Sequence, residues 1–255
     1  MSLKDKIAIV TGGARGIGAG IVRTLASQGA WVAFNYVSPS SESAAKDLVA
    51  EIESKGGKSA CVRCDMGDKS AASVLLDATF KAFGVERVDI LVNNAGLGQN
   101  TPLKHITLEE YDRLMSINVR AVIFMTQAIL PYVHRGGRVV NLSSISARGG
   151  YATQTVYAAT KAAVEGLTKV WATELGHEYG ITVNAVNPGP VDTDMYRAAG
   201  PVHLKRMEEQ NKKVPAAPRC GTPEDIADII LFLCEERSRW VTGDIICANG
   251  GMLYT

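Results

Sequence analysis

The chain has 255 residues, of which 46% are hydrophobic and 21% charged, and its formal net charge is +1. That length and composition can bury a large core, so we expect residues 1–255 to form one α/β domain rather than two small ones. Charged residues are spread along the sequence without a basic or acidic block. This argues against nucleic acid or an anionic membrane as a partner and favours a small molecule.

The N-terminal sequence MSLKDKIAIVTGG carries charges where a signal peptide needs its apolar segment, and no run of eighteen apolar residues follows it. The five cysteines are an odd number, which argues against a disulfide framework and fits a reducing compartment. We therefore predict a cytoplasmic protein. Cys61 and Cys64 have no second pair beside them and the four histidines are scattered, so we predict two core thiols and no metal site.

Short apolar runs alternate with helical patterns along the whole chain. The predicted strands lie at 6–10, 31–34, 59–64, 88–93, 138–143 and 181–187, with a seventh in GDIICANGG at 243–251. The predicted helices lie at 17–28, 42–55, 69–83, 108–133, 157–179 and 223–235. Continuous apolar strands are buried on both faces, and right-handed crossovers place helices on both faces. The sequence therefore predicts a single-domain Rossmann fold, an α/β structure with a doubly wound, seven-stranded parallel sheet.

The first connection between a strand and a helix, VTGGARGIG at 10–18, is rich in glycine. Gly12, Gly16 and Gly18 lack side chains where backbone amides could approach a pyrophosphate, and the helix that starts near Ile17 favours negative charge at its N-terminus. Close packing of helix against strand also demands small residues, but the position in the first βα unit favours a nucleotide. We predict that these four residues bind a dinucleotide.

The end of the second predicted strand, in FNYVSPSSE, indicates which dinucleotide is bound. An enzyme that uses NAD places an acid here to bind the 2′-hydroxyl, whereas this sequence has Asn35 and Tyr36. The serines within 38–41 offer hydroxyls, and Arg15 can pair with a 2′-phosphate. These residues predict NADP(H) and disfavour NAD(H). The alternative is that Arg15 is only a solvated loop residue.

The segment TVYAATK at 155–161 places a tyrosine four residues before a lysine in a predicted helix. Residues i and i+4 share a helix face, so Tyr157 and Lys161 are predicted to project side by side. A neighbouring ammonium stabilises a phenolate, and we predict that Lys161 lowers the pKa of Tyr157 and makes it a usable proton donor. An ordinary helix with one buried aromatic residue and one extended lysine would show the same pattern.

A serine lies at the end of the fifth predicted strand, shortly before this helix. In an open α/β sheet, ligands bind outside the carboxyl ends of the strands, which is where Ser144 of NLSSIS must lie. Its hydroxyl could hydrogen-bond a substrate carbonyl, although serines in turns and helix caps are common. Together with Tyr157 and Lys161, Ser144 predicts a site for acid–base chemistry.

These motifs resemble the short-chain dehydrogenase/reductase family from residue 6 to the C-terminus, most of all its 3-oxoacyl carrier-protein reductases and fungal-type polyketide or naphthol ketoreductases. The matching segments are TGGARGIG at 11–18, CDM at 64–66, NNAG at 93–96, SINVR at 116–120, Ser144, YAATK at 157–161 and NPGPVDT at 187–193. The further cofactor-binding residues that the resemblance implies are Asp65, Met66, Asn94, Ala95, Gly96, Pro188, Gly189, Val191 and Thr193. By the same resemblance, Asp65 and the NNAG turn border the adenine, and the last four residues flank the nicotinamide amide.

The reaction of this family is reversible hydride transfer between a nicotinamide and a carbonyl or alcohol carbon. The resemblance implies that Ser144 orients the carbonyl, that Tyr157 donates a proton, and that Lys161 keeps the tyrosine acidic and binds the nicotinamide ribose. It also implies that Asn118 holds a water-linked proton path. We expect an NADPH-dependent carbonyl reductase; the alternatives are an NAD-dependent alcohol or polyol dehydrogenase and a non-catalytic NADP(H)-binding protein.

The segment 190–218 is polar, punctuated by Gly and Pro and weakly periodic, which predicts a mobile flap over the substrate. Met195, Tyr196 and Met207 are candidates for an apolar pocket wall or for plain packing. Only Arg135 matches the basic docking positions of the carrier-protein reductases, so we expect a small or polyketide-like ketone as substrate.

The family resemblance also implies a homodimer or homotetramer. Leu167, Val170 and Trp171 are apolar residues on the outer face of the predicted helix at 157–179, and a monomer would expose them. Burial beneath the chain's own loops would explain these residues equally well.

Overall fold

A parallel sheet forms the centre of the computed structural model, which describes residues 1–254 except the side chains of residues 202 and 203. Within that range the strands are β1 (Ile7–Val10), β2 (Trp31–Tyr36), β3 (Lys58–Arg63), β4 (Val88–Asn93), β5 (Val133–Leu142), β6 (Thr182–Pro188) and β7 (Ile245–Ala248). Their order is β3-β2-β1-β4-β5-β6-β7, and neighbouring strands are parallel. The order reverses between β1 and β4, where a doubly wound sheet opens a crevice for ligands.

Helices cover both faces of this sheet. In the described chain they are α1 (Gly16–Ser27), α2 (Glu42–Ser54), α3 (Ala71–Phe83), α4 (Leu108–Met115), α5 (Ala121–Ile129), α6 (Ser146–Gly149), α7 (Thr155–Tyr179), α8 (Asp194–Arg197), α9 (Pro201–Asn211) and α10 (Pro223–Cys234). One hydrophobic cluster includes Val10 and packs under α1, α2 and α10, and a second includes Ile9 and packs under α3, α5 and α7. Because successive strand residues point to opposite faces of the sheet, the adjacent residues Ile9 and Val10 lie in different clusters. The predicted doubly wound, seven-stranded fold is confirmed.

The predicted helix at 108–133 is the element that the structure changes most. It divides into α4, a π-helical turn at Ser116–Arg120, α5 and a 3₁₀ turn at Leu130–Tyr132. Pro131 lacks the amide proton that a continuing helix needs. β5 then begins at Val133, five residues before its predicted start, and its register on β4 is irregular there. The other predicted helices and strands lie within two residues of the observed bounds, except that β7 ends three residues before the end of the predicted segment 243–251.

The helical run Leu108–Tyr132 is, in the part of the chain that the structure describes, the one helix long and apolar enough to cross a membrane by length and composition. Charged residues such as Arg113 and Arg120 interrupt it, so it is not a continuous apolar run. In the fold, α5 contacts α3 and β4, and Met125 and Ile129 lie in the second hydrophobic cluster. The length and composition of this run are those of a helix that packs on a sheet.

The two thiols of CVRC lie on opposite faces of the sheet. Cys61 packs against the first hydrophobic cluster, and Cys64 packs against the second. Both are free and half-buried, and burial raises the pKa of Cys64 to about 11. Side chains on opposite faces are poorly placed to act as a redox pair, which agrees with the predicted packing role.

The residues predicted for an oligomer interface differ in exposure. Val170 on α7 is 53% exposed, whereas Leu167 is half-buried. Trp171 packs against the second hydrophobic cluster, so burial within the chain accounts for part of its surface. Phe124 on the adjacent α5 is 51% exposed and was not predicted.

Candidate active site

A cavity of about 530 Å³ opens at the carboxyl edge of the sheet, where β1, β4, β5 and β6 end. The predicted site residues that line it are Gly12, Arg15, Gly16, Ile17, Gly18, Asn35, Asp65, Met66, Asn94, Ala95, Gly96, Ser144, Tyr157, Lys161, Pro188, Gly189, Val191 and Thr193. Within the described chain, Tyr36 and Asn118 lie outside this lining. The fold therefore brings together most of the residues predicted from distant motifs.

The turn after β1 is packed too closely to admit side chains. A Cβ added to Gly18 would lie 2.2 Å from the carbonyl oxygen of Gly12, and one added to Gly13 would lie 2.4 Å from Phe34. Gly12 itself has a φ of +67°, in the left-handed region that favours glycine. Close packing therefore explains part of the glycine pattern, as the alternative interpretation held.

The N-terminus of α1 supplies the anion-binding part of this turn. Its N-cap residue, Arg15, makes no capping hydrogen bond with its side chain, so the first amides of the helix remain available. These amides and the positive end of the helix dipole fit a pyrophosphate. The side-chain amide of Asn94 donates to the carbonyls of Thr11 and Gly12 at 2.8 and 3.0 Å, which fixes the turn against the loop after β4.

Asn35 and Tyr36 were both predicted to bind the cofactor; in the described structure Asn35 lines the cavity, whereas Tyr36 lies outside its lining. Asn35 is fully buried; its Oδ1 accepts from the Gly12 amide at 2.8 Å and its Nδ2 donates to the Cys64 carbonyl at 2.8 Å. The Asn35 amide therefore supports the glycine turn. Tyr36 is also buried and packs into the first hydrophobic cluster, because its side chain points away from the cavity. Val37 lines the cavity in its place.

Arg15 lines the cavity and contacts the serine segment after β2, which in the described chain lies outside that lining. Nη2 of Arg15 donates to the Ser40 carbonyl, and the Ser38 hydroxyl lies 2.9 Å from the hydroxyls of Ser40 and Ser41. Arg15 also forms an ion pair with Asp194 at 3.5 Å, in which the side chains are 43% and 64% exposed. An ion pair this exposed contributes little, so the guanidinium can turn to a stronger anion. A guanidinium beside three hydroxyls fits a 2′-phosphate.

Asp65 forms a polar wall with Arg113, a residue that sequence reasoning missed. Arg113 donates to Asp65 Oδ2 at 2.6 Å, and the Gly67 amide donates to Oδ1 at 2.8 Å. Burial raises the pKa of Asp65, but these two hydrogen bonds outweigh it and hold the pKa below its usual value. Arg113 lies on the exposed side of α4, 48 positions from its partner, where no local motif marks it.

Tyr157 and Lys161 share one wall of the cavity, in the side-by-side arrangement that their spacing predicts. Nζ of Lys161 lies 5.8 Å from the centre of the Tyr157 ring and donates to the Leu142 carbonyl at 2.7 Å. Burial lowers the pKa of Lys161 to about 8. Burial also raises the pKa of Tyr157, and a hydrogen bond with Ser144 acts in the opposite direction. The predicted lowering of the Tyr157 pKa by Lys161 is therefore wrong for this state, because desolvation dominates.

Ser144 lies where β5 ends, within hydrogen-bond reach of Tyr157. Its Oγ accepts from the Ser146 amide at 3.1 Å and lies 3.2 Å from the Ser146 hydroxyl. The Ser146 hydroxyl donates to Gln154 at 2.7 Å. This polar chain fixes the Ser144 hydroxyl beside the phenol, which is the arrangement that a hydrogen bond to a substrate carbonyl requires.

Asn118 lies behind the cavity wall, fully buried in the π-helical turn. Its Oδ1 accepts from the Leu97 amide at 2.8 Å, and its Nδ2 donates to the Leu97 carbonyl at 2.9 Å and to Thr160 Oγ1 at 3.1 Å. A Cβ added to Gly96 would lie 3.4 Å from Asn118 Oδ1 and 3.5 Å from Lys161 Nζ. Asn118 thus joins the NNAG loop to α7. The water-linked proton path stays a prediction.

Gln99 positions Tyr157 and was not predicted from the sequence. The N-cap residue of α7, Gln154, makes no capping hydrogen bond with its side chain. Instead, Oε1 of Gln99 accepts from the amides of Val156 and Tyr157 at 2.9 and 3.1 Å. The cap is 57 positions away from the amide that it satisfies, so no local capping motif could reveal it.

The segment predicted as a flap contains two helices, α8 and α9, beside the cavity. Met195, Tyr196 and Met207 line the cavity, as predicted for an apolar wall. A Cβ added to Gly16 would lie 3.0 Å from Thr193, so the start of this segment rests on the glycine turn. Most described residues of α9 are exposed or half-buried, which explains its weak apolar periodicity. The mobility of the segment stays a prediction.

Comparisons with known proteins agree with this architecture. Residues 12–253 match the family model described as enoyl-(acyl carrier protein) reductase. The chain is 47% identical to the short-chain dehydrogenase/reductase FrzI from a Cladobotryum species, over 99% of this chain and 97% of that protein. It is 38% identical to the hydroxynaphthalene reductase-like protein Arp2 from Metarhizium robertsii, over 98% of this chain and 96% of that protein.

A solved structure is similarly close. The crystal structure of a blue fluorescent protein from a metagenomic library, in complex with NADPH, superimposes with a TM-score of 0.92 at 42% identity, and the match covers 100% of both chains. Relatives that share a third to a half of their residues with this chain over nearly their full length have the same fold. The chain is an oxidoreductase that belongs to the short-chain dehydrogenase/reductase family.

Proposed function

We propose that this protein is an NADPH-dependent carbonyl reductase that acts on a small or polyketide-like ketone, with Tyr157 as the proton donor. The observation that carries the proposal is the meeting of Ser144, Tyr157 and Lys161 at one wall of a cavity whose outer end holds Arg15. Binding a dinucleotide requires no serine–tyrosine pair. The complete set therefore favours catalysis over a non-catalytic binding role.

The chemistry follows from the positions of three side chains. NADPH, when bound, supplies a hydride for the substrate carbonyl carbon. Ser144 donates a hydrogen bond to the carbonyl oxygen, and Tyr157 gives that oxygen its proton as negative charge develops there. The Ser144 bond partly offsets the effect of burial on the Tyr157 pKa. The ammonium of Lys161, 5.8 Å from the ring centre, stabilises the phenolate that remains.

The preference for NADPH rests on the outer end of the cavity. Arg15 and the hydroxyls of Ser38, Ser40 and Ser41 form a cluster that suits a phosphate dianion. The residues at the end of β2, where an NAD enzyme places its acid, are Asn35 and Tyr36, and neither is acidic. The related blue fluorescent protein, with 42% identity, was solved with NADPH.

The proposed class of substrate follows from the inner end of the cavity. Apolar residues line it beside Tyr157, namely Leu97, Ile145, Met195 and Met207. Polar side chains also line the cavity, among them those of Gln99, Asn100, Tyr151, Gln154, Arg206 and Gln210. A ketone with an apolar body and several oxygen atoms for these polar groups suits such a lining. The name of the hydroxynaphthalene reductase-like relative is consistent with that class.

We also infer that the protein is a homodimer or homotetramer. Phe124 on α5 and Val170 on α7 are each more than half exposed, at 51% and 53%. A second copy of the chain that packs on these helices would cover both side chains. The cytoplasmic location stays a prediction from the sequence.

The experiment that tests the proposal follows the absorbance of NADPH and of NADH with a panel of ketones, 3-oxoacyl thioesters and quinones. We expect ketone-dependent oxidation of NADPH, and oxidation of NADH at least about tenfold slower, because the charge-assisted contacts to the 2′-phosphate are missing. Oxidation of alcohols or polyols with NAD at comparable rates would favour the alternative dehydrogenase. Tight NADPH binding without turnover of any substrate would favour a binding role.

A further inference from the structure

A buried carboxylate, Glu165, lies one helical turn beyond Lys161 and has no part in the chemistry described above. It is 8% exposed. Its Oε1 accepts hydrogen bonds from Ser143 Oγ at 3.1 Å and from Asn187 Nδ2 at 2.8 Å, and its Oε2 lies 2.8 Å from Nε of Arg148. A buried carboxylate is costly unless it is paired and hydrogen-bonded, and both oxygens of Glu165 have partners.

Two of these partners stand directly before residues of the proposed site. Ser143 precedes Ser144 at the end of β5, and Asn187 precedes Pro188 at the end of β6. Glu165 belongs to α7, the helix that carries the proposed proton donor. Its Oε1 therefore links the helix of the proton donor to both strand ends that form the floor of the cavity.

The third partner, Arg148, extends the network to α6. This short helix begins at Ser146, whose amide donates to Ser144 Oγ at 3.1 Å and whose hydroxyl donates to Gln154 at 2.7 Å. The ion pair between Arg148 and Glu165 is largely shielded, with side chains 24% and 11% exposed. This ion pair ties α6, the helix that orients Ser144, to α7.

We propose that Glu165 is a positioning residue of the reducing site. Its carboxylate holds the ends of β5 and β6 and the helix α6 against α7, so that the Ser144 hydroxyl stays within hydrogen-bond reach of the Tyr157 phenol. The inference rests on the proposed function. Glu165 acts through its three partners and touches neither substrate nor coenzyme. Small errors in the position of catalytic groups cost orders of magnitude in rate, which gives such a residue its effect.

The chain offers a matched control at the opposite edge of the sheet. Asp89, 7% exposed, accepts from the Ile7 amide at 2.8 Å and pairs with Arg87 at 2.9 Å and Lys6 at 3.4 Å. It is also a buried carboxylate that joins neighbouring strands, but it lies near the amino ends of β1 and β4, outside the cavity lining in the described structure. Asp89→Asn should therefore lower stability without disturbing the site.

The experiment compares Glu165→Gln with Asp89→Asn in the full-length protein. Reduction requires protonated Tyr157 beside charged Lys161, so kcat/KM falls as pH rises through the coupled pKa values of this pair. Glu165→Gln weakens the Ser144 bond that lowers the Tyr157 pKa and also removes a negative charge near the pair, so the falling limb should be displaced by about 0.5 to 1 unit. Below that limb kcat/KM should drop about 10- to 100-fold.

The affinity for NADPH should change less than about threefold in Glu165→Gln, because the Arg15 end of the cavity is distant from the network. Fluorescence titration measures it on the same samples. Asp89→Asn should show neither the displaced limb nor the loss of rate. Wild-type kcat/KM and pH dependence in Glu165→Gln, or changes that Asp89→Asn matches, would show that Glu165 serves stability alone and would overturn the inference.

Two further measurements keep the inference testable if Glu165→Gln does not fold or if the wild-type protein is inactive. If Glu165→Gln does not fold, Ser143→Ala removes one hydroxyl, with its contacts to Glu165 Oε1 at 3.1 Å and to the Lys161 carbonyl at 3.2 Å, and changes no charge. The limb must then move to higher pH by a smaller amount; an unmoved limb overturns the inference. A wild-type protein that is inactive toward every ketone defeats the proposed function. Crystal structures of wild type and Glu165→Gln then decide on Glu165: a lengthened Ser144–Tyr157 contact supports its role, and an unchanged one overturns it.

Discussion

Replacing Lys161 with methionine should stabilise the folded protein while it abolishes ketone reduction. Lys161 is 5% exposed, and burial lowers its pKa from the ordinary value of 10.5 to about 8. That difference of about 2.5 pKa units corresponds to about 3 kcal/mol of cost for the buried ammonium at neutral pH. The variant also loses the hydrogen bond from Lys161 to the Leu142 carbonyl, which reduces the gain in stability by about 1 kcal/mol. We expect Lys161→Met to raise the free energy of unfolding by about 2 kcal/mol.

The pH dependence of this gain has a definite sign. The folded pKa of Lys161 lies below the unfolded one, so between about pH 8 and 10.5 the unfolded chain binds more protons and wild-type stability rises with pH. The advantage of Lys161→Met is therefore full below about pH 8 and close to zero near about pH 9.5. Urea unfolding of the coenzyme-free proteins at both ends of this range measures it.

The control for this experiment is Lys169→Met, which changes an exposed lysine on the same helix and should leave the free energy of unfolding nearly unchanged at either pH. A Lys161→Met protein less stable than wild type at neutral pH would refute the reasoning. So would a gain that does not shrink as pH rises, because it would have a cause other than the buried charge.

Three further substitutions test the parts of the site. Arg15→Ala should weaken NADPH binding about tenfold or more and NADH binding little, since a charge-assisted phosphate contact is lost; equal losses in fluorescence titrations would remove the argument for NADPH. Gly18→Ala, which places a methyl group 2.2 Å from a carbonyl oxygen, should abolish coenzyme binding, whereas Gly166→Ala, with open space around it, should not. Gln99→Ala should cost about 1 to 2 kcal/mol in urea unfolding and lower kcat more than coenzyme affinity, and Gln99→Glu, which keeps the acceptor, should retain the stability. An unchanged kcat in Gln99→Ala would contradict its role.

The fold could be predicted because its strands are buried on both faces and form continuous apolar runs. The strand at 88–93 was predicted with its observed bounds. The run at 108–133 was predicted as one helix, since apolar periodicity does not resolve the extra residue of a π-helical turn. The observed end of this helical run depends on Pro131 and on the pairing of Val133 with Val88. That pairing is a tertiary contact, which the local sequence does not show.

The site could be predicted where its residues belong to contiguous motifs at strand ends. Asn35 and Tyr36 were assigned by position alone, and their side-chain directions follow from the strand's alternation and the packing around it. Gln99 and Glu165 bond to partners distant in sequence, which a motif cannot show. The direction of the Tyr157 pKa depends on burial, which also arises only in the folded chain.

The central claim is that Tyr157 gives its proton to the substrate oxygen. The most direct measurement is ketone-dependent NADPH oxidation by Tyr157→Phe, with the affinity for NADPH determined on the same sample. We predict nearly unchanged binding, because phenylalanine keeps the ring, and a rate lowered by about a thousandfold or more. A variant that binds NADPH normally and retains about a tenth of the wild-type rate would contradict the claim, since general acid catalysis contributes far more than that.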